Sequence, residues 1–426
     1  MADNDLFIVR NRPMMKGLTK LFILYVSIYG IVSIFTENVM IRGTKDAVLI
    51  LLILGCLWNF IFTKDNKQIG LKITILLLLV SLSIIGALGN INSGNLVTYT
   101  YGMKITIIPI GALLIGIWAK KYHISLDKVL IAIFFTSIFV WVLQYQLGVD
   151  YLISMGFEYG KNLKHIDGFP RLPSIAGTPD GYAFLLCITG ILVEYSNTLS
   201  EKKKTRMCIK LLTLAFLLLS TIRSALVLWI VFQFLMFIPK IRRATNRHKL
   251  LSISAIFYII CFLIIAWLAF LSDSKLGMSS SLVDRLSHWG KNAPQIDTLE
   301  GWVGTGIGNV GSASLRLNDL GSRNDEYAVD NQFLALYEQV GIIGTLVFLA
   351  FITILILRLK KNSKDNEQSS VALSLFLATL VSCIFTNVLE MYPFNVMFWI
   401  YIGSNIAEYK NKVVTRREFN RLKKSA

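Results

Sequence analysis

The side chains of this sequence best suited to chemistry are cations in places where topology gives no reason for a cation. Arg223 lies in LLLSTIRSALVLW with apolar runs on both sides. It must therefore sit at a membrane boundary or slightly within it, where an ionisable group is costly and marks a functional site by default. A snorkelling arginine that reaches lipid phosphate is the bland alternative; a tight helical hairpin would instead bury the guanidinium among helices. Arg285 lies in SSSLVDRLSHWGKN, which reads as an amphipathic helix with Leu282, Leu286 and Trp289 on its apolar stripe, Arg285 and Asp284 near its polar edge, and His288 on Arg285's face. Arg171 and Asp180 punctuate HIDGFPRLPSIAGTPDGYA, either as a salt bridge or as ligand-facing groups, and Lys104 opens an apolar segment. Cations gathered in this way suit an anion. Asp330 and Asn331 precede the apolar run LALYEQVGIIGTLVF, with Glu338 two turns deeper. Asp330 is either a plain N-cap or a carboxylate able to take a proton from a sugar hydroxyl.

The elements that must position these groups are membrane helices. The chain has 426 residues, 54% hydrophobic and only 16% charged, against about 25% charged in soluble domains, with a mean hydropathy of +0.59. Apolar segments near the roughly 20 residues needed to span a bilayer fall at 18–36, 46–63, 69–88, 104–119, 126–148, 180–198, 208–220, 222–239, 249–271, 331–357, 370–389 and 392–409. The expected fold is an all-α polytopic membrane protein of about 12 transmembrane helices. Residues 1–271 would carry helices one to nine with a re-entrant-type outer loop near 149–179. Residues 272–330 would form one large extracytoplasmic loop before the tenth helix, and 331–426 the last three helices and a basic tail.

Charge sets the orientation. With the amino terminus inside, 31 of the 43 Lys and Arg fall at cytoplasmic segments, as the positive-inside rule requires. The net charge of +17 is thus mostly topology plus attraction to inner-leaflet lipids, and the absence of a soluble basic domain argues against nucleic acid. Arg171, Arg223, Arg285 and Lys104 are then outer cations. Arg10, Arg12, Lys16 and Lys20 precede the first segment with no cleavage pattern after it, which reads as a retained first helix. The five cysteines fall within or at the ends of apolar segments and read as small core residues, not a disulfide or metal set.

The polar stretch 272–330 is too long for an ordinary connection and too rich in Trp, Leu, Val and Gly for disorder. Its Gly306, Gly308 and Gly311 have the GxGxxG spacing of a dinucleotide fingerprint, but that motif needs a preceding strand and a βαβ unit. An outer loop offers neither. The glycines serve either turns and close packing, the favoured reading, or a backbone nest for phosphate. No second His or Cys stands at metal-ligand spacing from His288. No metal or other cofactor is expected.

The arginine within STIRSALVL, the DRLSHW helix, the GWVGTGIGN turn and DNQFLALYEQVGIIGTLVF, in that order and on that side of the membrane, resemble the O-antigen ligase and Wzy-type polysaccharide polymerase superfamily. The motifs cover roughly residues 165–350, and the span layout covers the whole chain. The resemblance implies a metal-independent, inverting glycosyltransferase of GT-C type in the bacterial cytoplasmic membrane. Its substrates would be undecaprenyl-diphosphate-linked oligosaccharides at the outer face, with membrane lipids around it and a chain-length regulator as a candidate protein partner. Family arginines that hold the donor diphosphate map onto Arg223 and Arg285, and less securely onto Arg171; Asp330 would address the acceptor hydroxyl. Lys104, Asn331, His288 and Asp180 are further substrate-binding candidates. Ligases usually carry His where this chain has Asp330, so the sequence looks more like a polymerase than a ligase. A flippase for the same lipid-linked unit is the competing non-enzyme, and would favour internal repeats and broken helices at the bilayer midplane.

Overall fold

A computed structural model of the chain describes residues 2–36, 38–62, 69–93, 96–166, 168–199, 203–244, 296–311, 329–364 and 366–407. The molecule is mostly helical (79%). Its helices are α1 (Ala2–Ile34), α2 (Val39–Phe62), α3 (Ile69–Ser93), α4 (Leu96–Gly102), α5 (Ala112–Lys121), α6 (Asp127–Leu147), α7 (Val149–Ser154), α8 (Pro179–Glu194), α9 (Lys203–Ser220) and α10 (Arg223–Ala244). After them come α11 (Leu299–Val303), α12 (Gln332–Asn362), α13 (Glu367–Ser382) and α14 (Phe394–Ile406). Among the described residues, five stretches are long and apolar enough to cross a membrane: Lys16–Ile34, Ile69–Ile91, Leu96–Lys121, Asp127–Leu147 and Gln332–Asn362. That makes the chain a helical protein suited to a multi-pass membrane setting. The expected ninth segment, 249–271, lies outside the described residues, as do Arg285 and His288.

Burial along the helices explains their composition. On α6, Leu130, Ile133, Phe134, Ser137, Ile138, Trp141 and Gln144 are buried at three- and four-residue spacing, while Phe135, Phe139 and Leu143 face outward. A helix apolar on both faces has one face for protein and one for lipid. α8 differs, being buried from Gly181 to Glu194, and forms the centre against α6, α9, α10 and α14. α5 and α14 meet backbone to backbone: a Cβ on Gly116 would stand 2.0 Å from Ile400 O, and one on Gly403 2.2 Å from Leu113 O. Small residues at helix contacts allow this approach.

The long helix α12 is broken. Gly341 has φ 63° and ψ −170°, a combination available essentially to glycine alone. In an unbroken helix the carbonyls of Glu338 and Gln339 would accept from residues 342 and 343. Here the glycine loop takes them: Thr305 N donates to Glu338 O at 2.8 Å and Gly306 N to Gln339 O at 3.1 Å. The Gln339 side chain returns the contact, donating to Val310 O at 3.0 Å and accepting from Gly308 N at 3.2 Å. Ile307, fully buried, fills the space left by Gly86 and Gly102, while Asn90 of α3 donates to its carbonyl at 3.1 Å. The glycines therefore serve close packing: the Gly306 N–H meets a main-chain carbonyl of α12 and the Gly308 N–H meets the Gln339 side chain. Non-helical backbone at this depth survives only when enclosed in protein.

The break generates a sharp expectation. A Cβ on Gly341 would lie 2.3 Å from the Trp302 carbonyl, so Gly341→Ala should destabilise the protein by about 2 kcal/mol or more. Gly55→Ala, in α2 with open space around its Cβ position, should be neutral or stabilising by up to about 1 kcal/mol. Thermal unfolding of the two variants in detergent tests the ordering; equal midpoints would contradict it.

Candidate anion site at one end of the bundle

Arg171 and Arg223 stand at one end of the bundle, and the start of α12 with Asp330 lies at the same end. α9 and α10 meet there at a corner of two residues, where Thr221 adopts a left-handed φ of 57°. Arg171 braces this corner. Its Nε donates to Thr221 Oγ1 at 2.7 Å and its Nη2 to Thr221 O at 3.0 Å, a fork suited to planar guanidinium. The expected salt bridge with Asp180 is not what holds Arg171; the partner is Thr221.

Arg171 is itself fixed from below. The punctuated segment forms a hairpin of β1 (Lys164–Ile166) and β2 (Phe169–Arg171), with Lys164 opposite Arg171 and Gly168 at φ 82° in the turn. Beyond β2 the chain enters the bundle at Ser174, whose N–H donates to Gln144 Oε1 at 2.7 Å and whose hydroxyl donates to Ser137 O at 2.5 Å. Thr178 then caps α8 by accepting from Gly181 N, which leaves half-buried Asp180 in the first turn, where the helix dipole favours an acid.

Half-burial lowers the pKa of the Arg171 guanidinium from its ordinary value; Asp180 raises it and Arg223 lowers it further. Arg171 thus feels the charges of both Asp180 and Arg223. Arg223 is the first residue of α10 and is exposed, which corrects the expectation that its guanidinium is buried among helices. Among the described residues it makes no hydrogen bond or ion pair. A cation at a helix N-terminus opposes the macrodipole, and a second arginine beside it adds repulsion. Among the described residues, Asp180 is the acid that offsets this positive charge at Arg171.

Two hydrogen bonds carry this corner toward the start of α12. Ser382 Oγ donates to Ser224 O at 3.0 Å, and Gln332 N donates to the next carbonyl, Cys383 O, at 2.9 Å. Asn387 pins the end of the outer loop, donating to Val329 O at 2.8 Å. Asn331 caps α12 by accepting from Phe333 N and Leu334 N at 3.0 and 3.1 Å. The cap considered for Asp330 therefore belongs to its neighbour, and Asp330, half-buried, stands one residue outside the helix.

Lys104 belongs to a second cluster. It sits in a π-helical turn, Met103–Ile107, and its ammonium lies 2.8 Å from Asp46 Oδ2, while Lys45 holds Asp46 Oδ1 at 2.9 Å. The anion that Lys104 meets is a residue of the chain. Nearby, Glu390 accepts from Thr106 Oγ1 at 3.3 Å and Gln332 Nε2 at 3.4 Å, beside a cavity of about 20 Å³ that Leu336 and Trp399 also line. That is room for one water.

Sequence reasoning did not single out Thr221, Asp46, Gln332, Asn387 or Glu390. The last had a signal, an acid ending an apolar run just before Pro393; Thr221 had none beyond its place in the corner. Among the described residues no three His, Cys, Asp or Glu side chains could hold a metal ion together. No protein-family model matches the chain, and no curated protein matches it.

The two arginines should respond oppositely to truncation. Arg171→Ala leaves the Thr221 carbonyl and hydroxyl without their donors and should cost about 1.5–3 kcal/mol of stability. Arg223→Ala removes an exposed, unpaired cation and should change stability by no more than about 0.5 kcal/mol. Unfolding midpoints in detergent check this; comparable losses would show that Arg223 is structural.

Proposed function

We propose that this chain is a bacterial inner-membrane glycosyltransferase with twelve spans in a GT-C-like arrangement, and that it joins lipid-diphosphate-linked oligosaccharide units at the outer face. The observation that carries this reading is the exposed, unpaired Arg223 on a corner braced by Arg171, tied by hydrogen bonds to the start of α12 where Asp330 stands. The resemblance in motif order supplies the substrate class. The physical chemistry supplies the fit.

The donor sugar is already activated by its diphosphate, so the reaction needs no nucleotide. The acceptor's hydroxyl oxygen attacks the anomeric carbon from the face opposite the diphosphate, forming the new glycosidic bond. The carbon–oxygen bond to the diphosphate breaks, and the lipid diphosphate leaves with the electron pair. Arg223, with Arg285 of the outer loop as its expected companion, stabilises the negative charge that grows on the leaving oxygen. Arginine suits this role because it offers planar, bidentate donors and never loses its proton. Asp330 takes the proton from the attacking hydroxyl or orients it. Asp180 and Asn331 line the same end as candidate contacts for sugar hydroxyls, whereas Lys104 acts through its ion pair with Asp46.

Purified protein in liposomes, given short lipid-linked oligosaccharide and nothing else, tests the proposal. The wild type should give a ladder of products. Arg223→Ala should cut the rate about 100-fold or more, the scale for losing a donor to a developing anion, with an unchanged unfolding midpoint. Asp330→Asn should lose activity with the protein equally well folded. A ladder from Arg223→Ala at the wild-type rate would refute the assignment. Products appearing only when a different acceptor is added would make the enzyme a ligase, and translocation without new bonds would make it a transporter.

A further inference from the structure

The short helix α11 and the residues before it carry large apolar side chains that none of the described residues covers. Ile296 is 60% exposed, Leu299 66% and Trp302 48%. Thr298 caps the helix by accepting from Gly301 N. Gly301 is buried against the bundle, and helical geometry puts Leu299 and Trp302 on the arc away from it, with exposed Glu300 on a different arc. An outward apolar face on an extramembranous loop is costly in water.

Its depth in the molecule says what covers it. From Arg358 at the basic end of α12 up to Gly341 the helix rises roughly 26 Å, and from Lys72 up to Asn90 on α3 roughly 27 Å. Both figures approach the hydrocarbon thickness of about 30 Å. Gly341 and Asn90 therefore stand at one level, the outer boundary. The loop touches both: the Trp302 carbonyl lies against Gly341, and Ile307 O accepts from Asn90. α11 packs on α3 and α12 together, whose outward Leu88, Ile91, Ile343 and Leu346 are exposed and form the surface that meets lipid. The apolar face of α11 continues that surface at the height where tryptophan is favoured in membranes.

We infer that residues 296–303 are an interfacial anchor, and that the partner of Ile296, Leu299 and Trp302 is the outer leaflet at the boundary between headgroups and acyl chains. The flanking acids Asp297 and Glu300 provide no electrostatic attraction to anionic lipid, so the anchor works by burying apolar area. It keeps the glycine segment that follows seated in the break of α12.

Nitroxide labels on the full-length protein in nanodiscs of bacterial phospholipid test this, independently of any glycosyl transfer. Leu299→Cys and Glu300→Cys are labelled in a background with Cys208→Ser, Cys208 being the exposed cysteine among the described residues, and Cys261→Ser. At position 299, collisions with dissolved oxygen should exceed those with a water-soluble nickel chelate several-fold, and at position 300 the preference should reverse. Nickel accessibility at 299 equal to that at 300 would place the face in water and overturn the inference. A label at 299 shielded from both reagents would overturn it as well, because protein would then cover the face.

Discussion

The carbonyl oxygens of Glu338 and Gln339 set the terms for the outer half of this molecule. A membrane helix cannot stop donating and accepting within itself unless something else does so in its place. Gly341 stops α12, and the glycine loop is the replacement. Everything at that end follows: the loop must be thin enough to reach the break, hence its glycines; it must be held there, hence Gln339, Asn90 and buried Ile307. The stub of α12 beyond the break can then leave the path of the lower helix and end against α13, where Gln332 meets Cys383 O. A broken helix was the feature expected of a transporter, at the bilayer midplane. Here the freed carbonyls of the break are already occupied by protein.

The two arginines at the α9–α10 corner divide the work between them. Arg171 spends its donors on Thr221, and so fixes a backbone geometry that a non-glycine residue rarely adopts. Arg223, two residues along, keeps its donors free. The second arrangement depends on the first: an unbraced corner would let Arg223 swing, and an Arg171 drawn to Asp180 would leave the corner unbraced. The same economy appears at α12, where Asn331 takes the cap and leaves Asp330 outside the helix, and at Lys104, whose charge Asp46 neutralises.

Hydropathy located helices such as those at 126–148 and 331–357, which are apolar on both faces, a pattern suited to a membrane chain. It also made the glycine run a packing element, since an outer loop offers no strand for a nucleotide motif. What it could not reach were interactions between residues distant in sequence. Arg171 and Thr221 are fifty positions apart, and nothing in either segment distinguishes that bond from one between Arg171 and nearby Asp180. The hairpin around Gly168 was legible in principle from Asp-Gly between two short runs, but the prolines around it argued for an irregular loop. Asp330 and Asn331 are both good caps, and only the backbone decides which of them is used. The exposure of Arg223 was hidden for a related reason: a tight hairpin fixes where a side chain starts, not where it ends.

An unneutralised guanidinium on a membrane protein's outer face acts beyond its own reach. Its field extends about one screening length, roughly 8 Å at physiological ionic strength, and the low-dielectric bilayer beside it weakens that screening. Under the proposed function, an anionic headgroup diffusing in the same leaflet would be drawn toward the corner before any contact forms. The search would be two-dimensional, confined to the plane in which the lipid already lies. Arg223's lack of a partner among the described residues would then set the capture radius of the site as well as its affinity.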